Sequence, residues 1–394
     1  MNVEIRSNRF KEYIRLPADP YEIRDMLDRL RLYENSTADC KVIKCGRVRQ
    51  LEGIEFRDTD VYLLNQLAKR IAQLDIRTTQ DTQMNALIKA DRDRSIPELI
   101  KMTYTDHVPT YPCSTYAELG EIAIENGWID ELEDVPDEAM PFIDLMAVGK
   151  AFAERDGGIF VDGCYCMPSS YEEPDMEITP DKPDPSFFRL LIAPKGSEAV
   201  KEGLWVSLPQ EAGRIAEYAS EHDIEIDDLA IYDFKSVLPK MKPPSMDIAN
   251  AYVYQILANK LTDSLKYQGI VRLKAVMDTK PPMTPNQVNK LIEDLPRYEF
   301  LGYIGSADLY GYDYLDNNLP REFDIQKLTS VDMTEIGETL MELKGAHLTP
   351  YGLIGGIDQQ LFAPVVKEQE QEETEDEQED IAEDDEIQIG GITQ

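Results

Sequence analysis

The sequence predicts an α+β chain made of two tandem units of one kind. Helical and strand-like stretches follow one another without the βαβ rhythm of a parallel sheet. Four segments of the first part recur, in order, in the second. Both parts end in a strongly acidic region.

The recurrence fixes the organisation. Leu16-Pro17 is echoed by Leu208-Pro209, and "VYLLNQLAKRI" (61–71) by "AYVYQILANKL" (251–261). "SIPELIKM" (95–102) is echoed by "TPNQVNKL" (284–291), and "IDLMAVGKAFAERDGG" (143–158) by "VDMTEIGETLMELKGA" (331–346). The offsets are 192, 190, 189 and 188. Echoes this close to one diagonal argue for duplication of a unit of about 165 residues rather than chance likeness between amphipathic helices. The predicted divisions are unit one at 1–166, a Pro- and acid-rich linker at 167–186, unit two at 187–366 and a tail at 367–394. The tail, "KEQEQEETEDEQEDIAEDDEIQ", has too few apolar groups to offset ordering entropy, so it is predicted to be disordered.

Each unit opens with an apolar stretch ending in Leu-Pro. A helix follows: Leu64, Leu67, Ala68, Ile71 and Leu74 recur at helical spacing behind Asp60, a potential N-cap. A shorter helix comes next. In unit two Thr284 is its cap, Pro285 suits the first turn and Gln287 completes a capping box, with Val288, Leu291, Ile292 and Leu295 facing the core. The last third is an acidic helix, then a Gly-rich turn and a strand ("GGIFVDGCYC", 157–166). Gly157-Gly158 and Gly355-Gly356 are predicted to serve positive-φ turns, and Trp128 and Trp205 to anchor cores.

The formal charge of -36 excludes nucleic acid as a simple partner, since phosphates would be repelled, and favours partners with basic surfaces. The start, "MNVEIRSNRFKEYIRLP", has no apolar h-region, and no apolar run reaches about 18 residues, so neither secretion nor a membrane span is expected. The five cysteines, an odd number, point to a reducing cytoplasm. Cys164-Tyr-Cys166 lacks CxxC spacing, and His107, His222 and His347 read as surface or cap residues, so no metal or other cofactor is expected.

The charge is not evenly spread. Residues 1–100 hold 17 acidic and 18 basic side chains, whereas residues 101–150 hold 11 and 2, and the matching region 301–350 holds 9 and 3. Residues 351–394 have a net charge of -13, which leaves -23 on the body. A solvated helix face normally mixes signs, because opposite charges at i,i+4 stabilise helices by about 0.2–0.5 kcal/mol. Here that stabilisation is forgone at equivalent places in both units. Between Tyr116 and Glu138 stand Glu118, Glu121, Glu125, Asp130, Glu131, Glu133, Asp134, Asp137 and Glu138, with no Lys or Arg. The first three, at i, i+3 and i+7, share one face of a helix starting near Thr115, opposite Leu119, Ile122, Ala123 and Trp128. Such carboxylates stand about 4.5–6 Å apart along the axis, approaching the spacing of about 3.4 Å between phosphates of a DNA strand. The counterparts in unit two are Asp308, Asp313, Asp316, Glu322, Asp324, Asp332, Glu335 and Glu338. A charge of -23 equals that of roughly 11–12 base pairs, one turn of duplex.

Further motifs carry a resemblance. Unit two holds "PKGSEAVKEGLWVSLP" (194–209), with Gly203, Trp205, Leu208 and Pro209 in a Gly-x-Trp-x-x-x-Pro type of pattern, and then "LAIYDF" (229–234). Unit one holds "AELGEIAIENGWIDELEDVP" (117–136) and "FIDLMAVGKAFAERDGGIF" (142–160). In these the chain resembles the ArdA antirestriction proteins of conjugative plasmids and transposons. Tyr232 stands where that family usually has His in Ala-Ile-His-Asp-Tyr, and unit one has "CKVIKCGRVRQLEG" in place of the signature. Asp144 and Gly149-Lys150 match the closing motif. The resemblance implies an elongated α+β protein, typically dimeric, that imitates bent B-DNA. It implies occupation of the DNA-binding groove of type I restriction–modification enzymes, with the acidic residues above standing in for phosphates.

Two other classes compete. One is a regulatory or interaction protein of a mobile element that engages a basic partner through its acidic tail. The other is an enzyme holding Mg²⁺ in an acidic cluster. Against the latter, the sequence shows no P-loop, no nucleophile elbow and no His paired in a recognisable motif with Cys or Ser.

Overall fold

The computed structural model describes residues 1–32, 35–74, 79–105, 108–132, 135–136, 138–182, 186–198, 203–320, 325, 328 and 330–365. It is an α+β protein. The first half runs β1 (Asn2–Ser7), β2 (Phe10–Arg15), α1 (Pro20–Arg29), β3 (Thr37–Lys44), β4 (Glu55–Asp60), α2 (Val61–Gln73), α3 (Gln80–Ala90) and α4 (Ile96–Met102). It continues with β5 (Thr110–Tyr111), α5 (Tyr116–Glu125), α6 (Leu145–Asp156), β6 (Ile159–Val161) and β7 (Cys164–Cys166). The second half runs β8 (Phe188–Pro194), β9 (Leu204–Leu208), α7 (Arg214–Glu221), β10 (Leu229–Ser236), α8 (Ala249–Ser264), α9 (Tyr267–Asp278) and α10 (Pro285–Asp294). It ends with β11 (Phe300–Leu301), α11 (Ala307–Asn318), α12 (Met333–Leu343), β12 (His347–Thr349) and β13 (Gly352–Ile354).

The sheets follow one plan twice. The front sheets are ordered β2-β1-β3-β4 and β9-β8-β10, and the rear sheets β5-β7-β6 and β11-β13-β12, all antiparallel. Only β4 lacks a counterpart among the described residues. Leu16-Pro17 and Leu208-Pro209, which close the two opening hairpins, are both cis.

The helices start where local chemistry allows. Asp60 caps α2 by accepting the Tyr62 N–H at 2.8 Å. Ser95 and Glu98 form a capping box on α4, and Thr284 and Gln287 form one on α10, where the Thr284 N–H reaches Gln287 Oε1 at 2.9 Å. Behind these starts, Leu64, Leu67 and Ala68 of α2 and Tyr254, Leu257, Ala258 and Leu261 of α8 are buried against the front sheets. Smaller cores lie between each rear sheet and its helix pair: Leu119, Ala123, Phe152 and Tyr165 in the first half, and Ile304, Tyr310, Leu340 and Leu353 in the second.

Residues 167–182, expected as a linker, form no strand and lie along the first half. Tyr171 and Ile178 pack on its core. Glu173 pairs with Lys101 at 2.5 Å, Asp181 with Lys69 at 3.1 Å, and Lys182 with Asp60 at 3.0 Å. Prolines keep the backbone extended and out of a ladder, and the charges fasten it to α2 and α4. The halves meet along α1, whose Tyr21 belongs to the core of the second half.

Two expectations about glycine need correction. Gly157 has φ of 75° and caps α6, but Gly158, Gly355 and Gly356 do not have positive φ. Gly158 is required instead by close packing, since a Cβ there would stand 2.3 Å from the Tyr165 ring. The predicted tail from 367 onward lies outside the described residues.

A candidate partner-binding surface of two acidic helix pairs

In each half two helices pack backbone to backbone. A Cβ at Gly120 would stand 2.0 Å from the Leu145 carbonyl oxygen, and one at Gly149 1.8 Å from that of Tyr116. In the second half, a Cβ at Gly311 would stand 2.2 Å from the Met333 carbonyl oxygen, and one at Gly337 1.9 Å from that of Ala307. Any side chain at these four points would force the helices apart. Glycine inside a helix costs roughly 1 kcal/mol relative to alanine, a cost offset here by the contact it permits.

Capping fixes the second helix of each pair. Asp144 accepts the N–H groups of Met146 and Ala147 at 3.0 and 3.1 Å, and Asp332 those of Thr334 and Glu335 at 2.9 and 3.2 Å. Asp332 was expected to stand in for a phosphate. It is exposed, and its carboxylate also caps α12, as that of Glu118 also serves the start of α5.

The other predicted carboxylates divide as follows. Glu118, Glu121 and Glu125 are exposed on α5, on the side away from buried Leu119, Gly120 and Ala123. Glu118 also accepts the Ser114 N–H at 2.6 Å, so part of its charge serves the helix start. Asp130 and Glu131 are exposed in the short 3₁₀ turn Asp130–Leu132, and Glu138 is exposed beyond it. Asp308 and Asp316 are exposed on α11, whereas Asp313 is half-buried and lies near the Tyr303 hydroxyl. Glu335 and Glu338 are exposed on α12. Glu133, Asp134, Asp137, Glu322 and Asp324 lie outside the described residues.

Sequence reasoning missed two parts of this surface. Glu342 extends Glu335 and Glu338 to the i, i+3, i+7 spacing of Glu118, Glu121 and Glu125. The spacing itself would have found it. The glycine contacts were missed as well; mid-helix glycines at equivalent places in both units were their signal.

None of these outward carboxylates forms an ion pair with a described Lys or Arg. α5, α11 and α12 contain no base, and α6 contributes Lys150, 3.9 Å from Glu154, and Arg155, which donates to the Trp128 carbonyl at 2.6 Å. Lys344, just beyond α12, is buried and donates to the carbonyls of Gln360 and Ala363 at 2.7 and 2.6 Å; burial lowers its pKa. It therefore neutralises none of the outer charges. Several bases of the first hundred residues are engaged elsewhere, as in Lys41–Glu55 at 2.9 Å and Arg29–Asp25 at 2.5 Å.

Both tryptophans serve packing. Trp128 lies between Tyr111 and Phe152, with ring centroids 4.7 and 5.2 Å away, and Trp205 packs with Leu191 and Ala193 under Arg189 and Lys235. His222 ends α7 and His347 lies exposed in β12, while His107 is outside the described residues. All five cysteines are free, and burial pushes the thiols of Cys40, Cys45 and Cys166 up to about 12, 11 and 11, so they remain protonated and act as small apolar groups. Among the described residues no three His, Cys, Asp or Glu side chains gather as a metal site, and no helix is long and apolar enough to cross a membrane. No family model matches the chain, and no curated protein matches it.

Proposed function

We propose that this chain is an antirestriction protein of the ArdA kind, a mimic of duplex DNA that occupies the DNA-binding groove of a type I restriction–modification enzyme or another DNA-binding defence enzyme. The observation that carries this is the pair of glycine-packed helix hairpins, whose exposed rows Glu118, Glu121, Glu125 and Glu335, Glu338, Glu342 have no basic partner among the described residues. Exposed carboxylates without counter-charge destabilise their own helix by a few tenths of a kcal/mol per like-charged pair. A basic groove supplies the missing counter-charge and releases its own counterions on binding, as it does with DNA. The protein itself performs no chemistry in this reading and needs no cofactor.

The test is inhibition of such an enzyme in competition with DNA, at two or more salt concentrations. Wild type is expected to compete with DNA and to weaken as salt rises. Reversing Glu118, Glu121 and Glu125 to Lys, or Glu335, Glu338 and Glu342 to Lys, should lower inhibition at least about tenfold with the circular dichroism unchanged. Unchanged inhibition by both triple variants would remove the proposal.

A second reading gives the acidic tail the main role. It is favoured by the anchoring of the chain just before the tail: Lys344 holds the carbonyls of Gln360 and Ala363, and the Val365 N–H donates to the Tyr314 hydroxyl at 3.0 Å. The same competition assay separates the two, because deletion of 367–394 then abolishes inhibition while the triple reversals spare it.

A further inference from the structure

The seam between the two halves is closed by a charge network whose centre, Lys274 and Asp28, is buried out of reach of water while Asp25 lies at its partly exposed edge. On α1, Asp25 and Asp28 sit one turn apart, and Lys274 of α9 reaches them at 2.9 and 2.6 Å. The Lys274 side chain is 0% exposed and that of Asp28 is 1% exposed. The Tyr351 hydroxyl donates to Asp25 Oδ1 at 2.7 Å, and the Tyr267 hydroxyl donates to Asp28 Oδ1. Arg29 holds the remaining oxygen of Asp25 at 2.5 Å. All four carboxylate oxygens thus have a donor. Around them, Tyr21 shares a hydrogen bond of 2.6 Å with Ser186, and Arg31 donates to the Pro350 carbonyl at 2.6 Å.

Energetics say what such a seam is good for. A buried ion pair adds little net affinity over apolar packing, because desolvation offsets the Coulomb attraction. It is intolerant of displacement, however: a shift of one helical turn would leave Asp28 or Lys274 buried without a partner. The network therefore selects one docking register. Among the described residues it also occurs once. At the offset of 192, Asp25 and Asp28 correspond to Glu217 and Ser220, both exposed on α7. At the offset of 189, Lys274 corresponds to Asn85, which stays within its own half by bonding the Arg47 carbonyl at 2.8 Å and Asp162 at 2.6 Å. A buried polar position shared by both units is turned outward in one of them to join the two.

We infer that Lys274, Asp25 and Asp28 are positioning residues that hold the two acidic helix pairs at one fixed separation, so that a basic groove meets both as a single composite surface. The inference rests on the charge-mimicry reading above. It makes the spacing between two basic stretches of the partner's groove the determinant of which enzyme is bound.

The test uses the full chain. Lys274→Glu places a third carboxylate in the seam; the exchanged pair Asp28→Lys with Lys274→Asp restores opposite charges. Small-angle scattering reads the separation of the halves, and the slope of log affinity against log salt for a type I restriction enzyme reads how many charges the groove engages. Lys274→Glu should enlarge the radius of gyration, keep the far-UV spectrum, bind about tenfold more weakly and lose about half of the salt slope, since one helix pair then engages at a time. The exchanged pair should recover both readouts, which a purely stabilising role for Lys274 does not require of the salt slope. If Lys274→Glu loses its far-UV signal, Tyr351→Phe removes one donor hydroxyl with little loss of packing and should move scattering and slope in the same direction, less far. An opened seam with unchanged slope and affinity overturns the positioning role and leaves the mimicry standing. Wild type that does not compete with DNA overturns both.

Discussion

In the first half the carboxylates spaced i, i+3 and i+7 stand on the leading helix of the pair, α5; in the second they stand on the trailing helix, α12. The packing device is the same in both pairs, with glycines at equivalent places pressing one helix backbone on the other. The helix that bears this row is not. The difference shows that backbone contact, not any single row of acids, is common to the two pairs. Once two helices lie in backbone contact, carboxylates on either one project from the same narrow hairpin. The pairs also differ in purity: α6 brings Lys150 and Arg155, whereas α11 and α12 bring no base.

Three experiments press on this comparison. Gly149→Ala and Gly337→Ala should have the largest effect, because the new Cβ would stand 1.8 and 1.9 Å from a carbonyl oxygen of the facing helix. Each should destabilise its helix pair by about 3 kcal/mol or more in chemical denaturation. If one is tolerated and the other is not, the device is not shared. Asp144→Ala and Asp332→Ala come next. Each removes an acceptor for two backbone N–H groups and should cost about 1 kcal/mol, similar in the two halves. Loss of inhibition by Asp332→Ala beyond that of Asp144→Ala, at equal stability, would assign Asp332 to partner binding as well as to capping.

Alkali should separate the pairs least. Burial raises the phenol pKa of Tyr165 beneath the first pair and of Tyr310 beneath the second. A phenol whose folded pKa lies above its unfolded value of about 10 contributes fully below that pH. The contribution is lost as pH rises from about 10 through the higher folded value. Both halves should therefore keep their stability to about pH 10 and lose it above, with the phenolate absorbance of these two rings, read as the difference from Tyr165→Phe and Tyr310→Phe, rising together with unfolding. A phenolate signal near pH 10 in the folded protein that Tyr165→Phe or Tyr310→Phe removes would show that these rings are reached by water.

Much of the fold was legible. Asp60, Thr284 with Gln287, and the helix beginning at Thr115 all followed from hydrogen-bonding groups placed at the ends of apolar periodicity, a local property of the chain. Glu121 and Glu125 were equally legible, because carboxylates on the outer face of an amphipathic helix have nowhere to go but solvent. The second role of Asp332 was not legible, because a capping carboxylate and a surface carboxylate look alike until the start of the helix is known. The 167–182 stretch looked like a free spacer because its composition does not tell which lysines lie within reach.

By itself the sequence determined the α+β character, several helix starts and the surplus of negative charge in two places, since each depends on side chains within a few residues of one another. Tertiary structure alone decided the rest. Which helices touch through glycine, and which aspartates meet Lys274 across a seam some 246 residues away along the chain, depend on groups brought together only when the cores close.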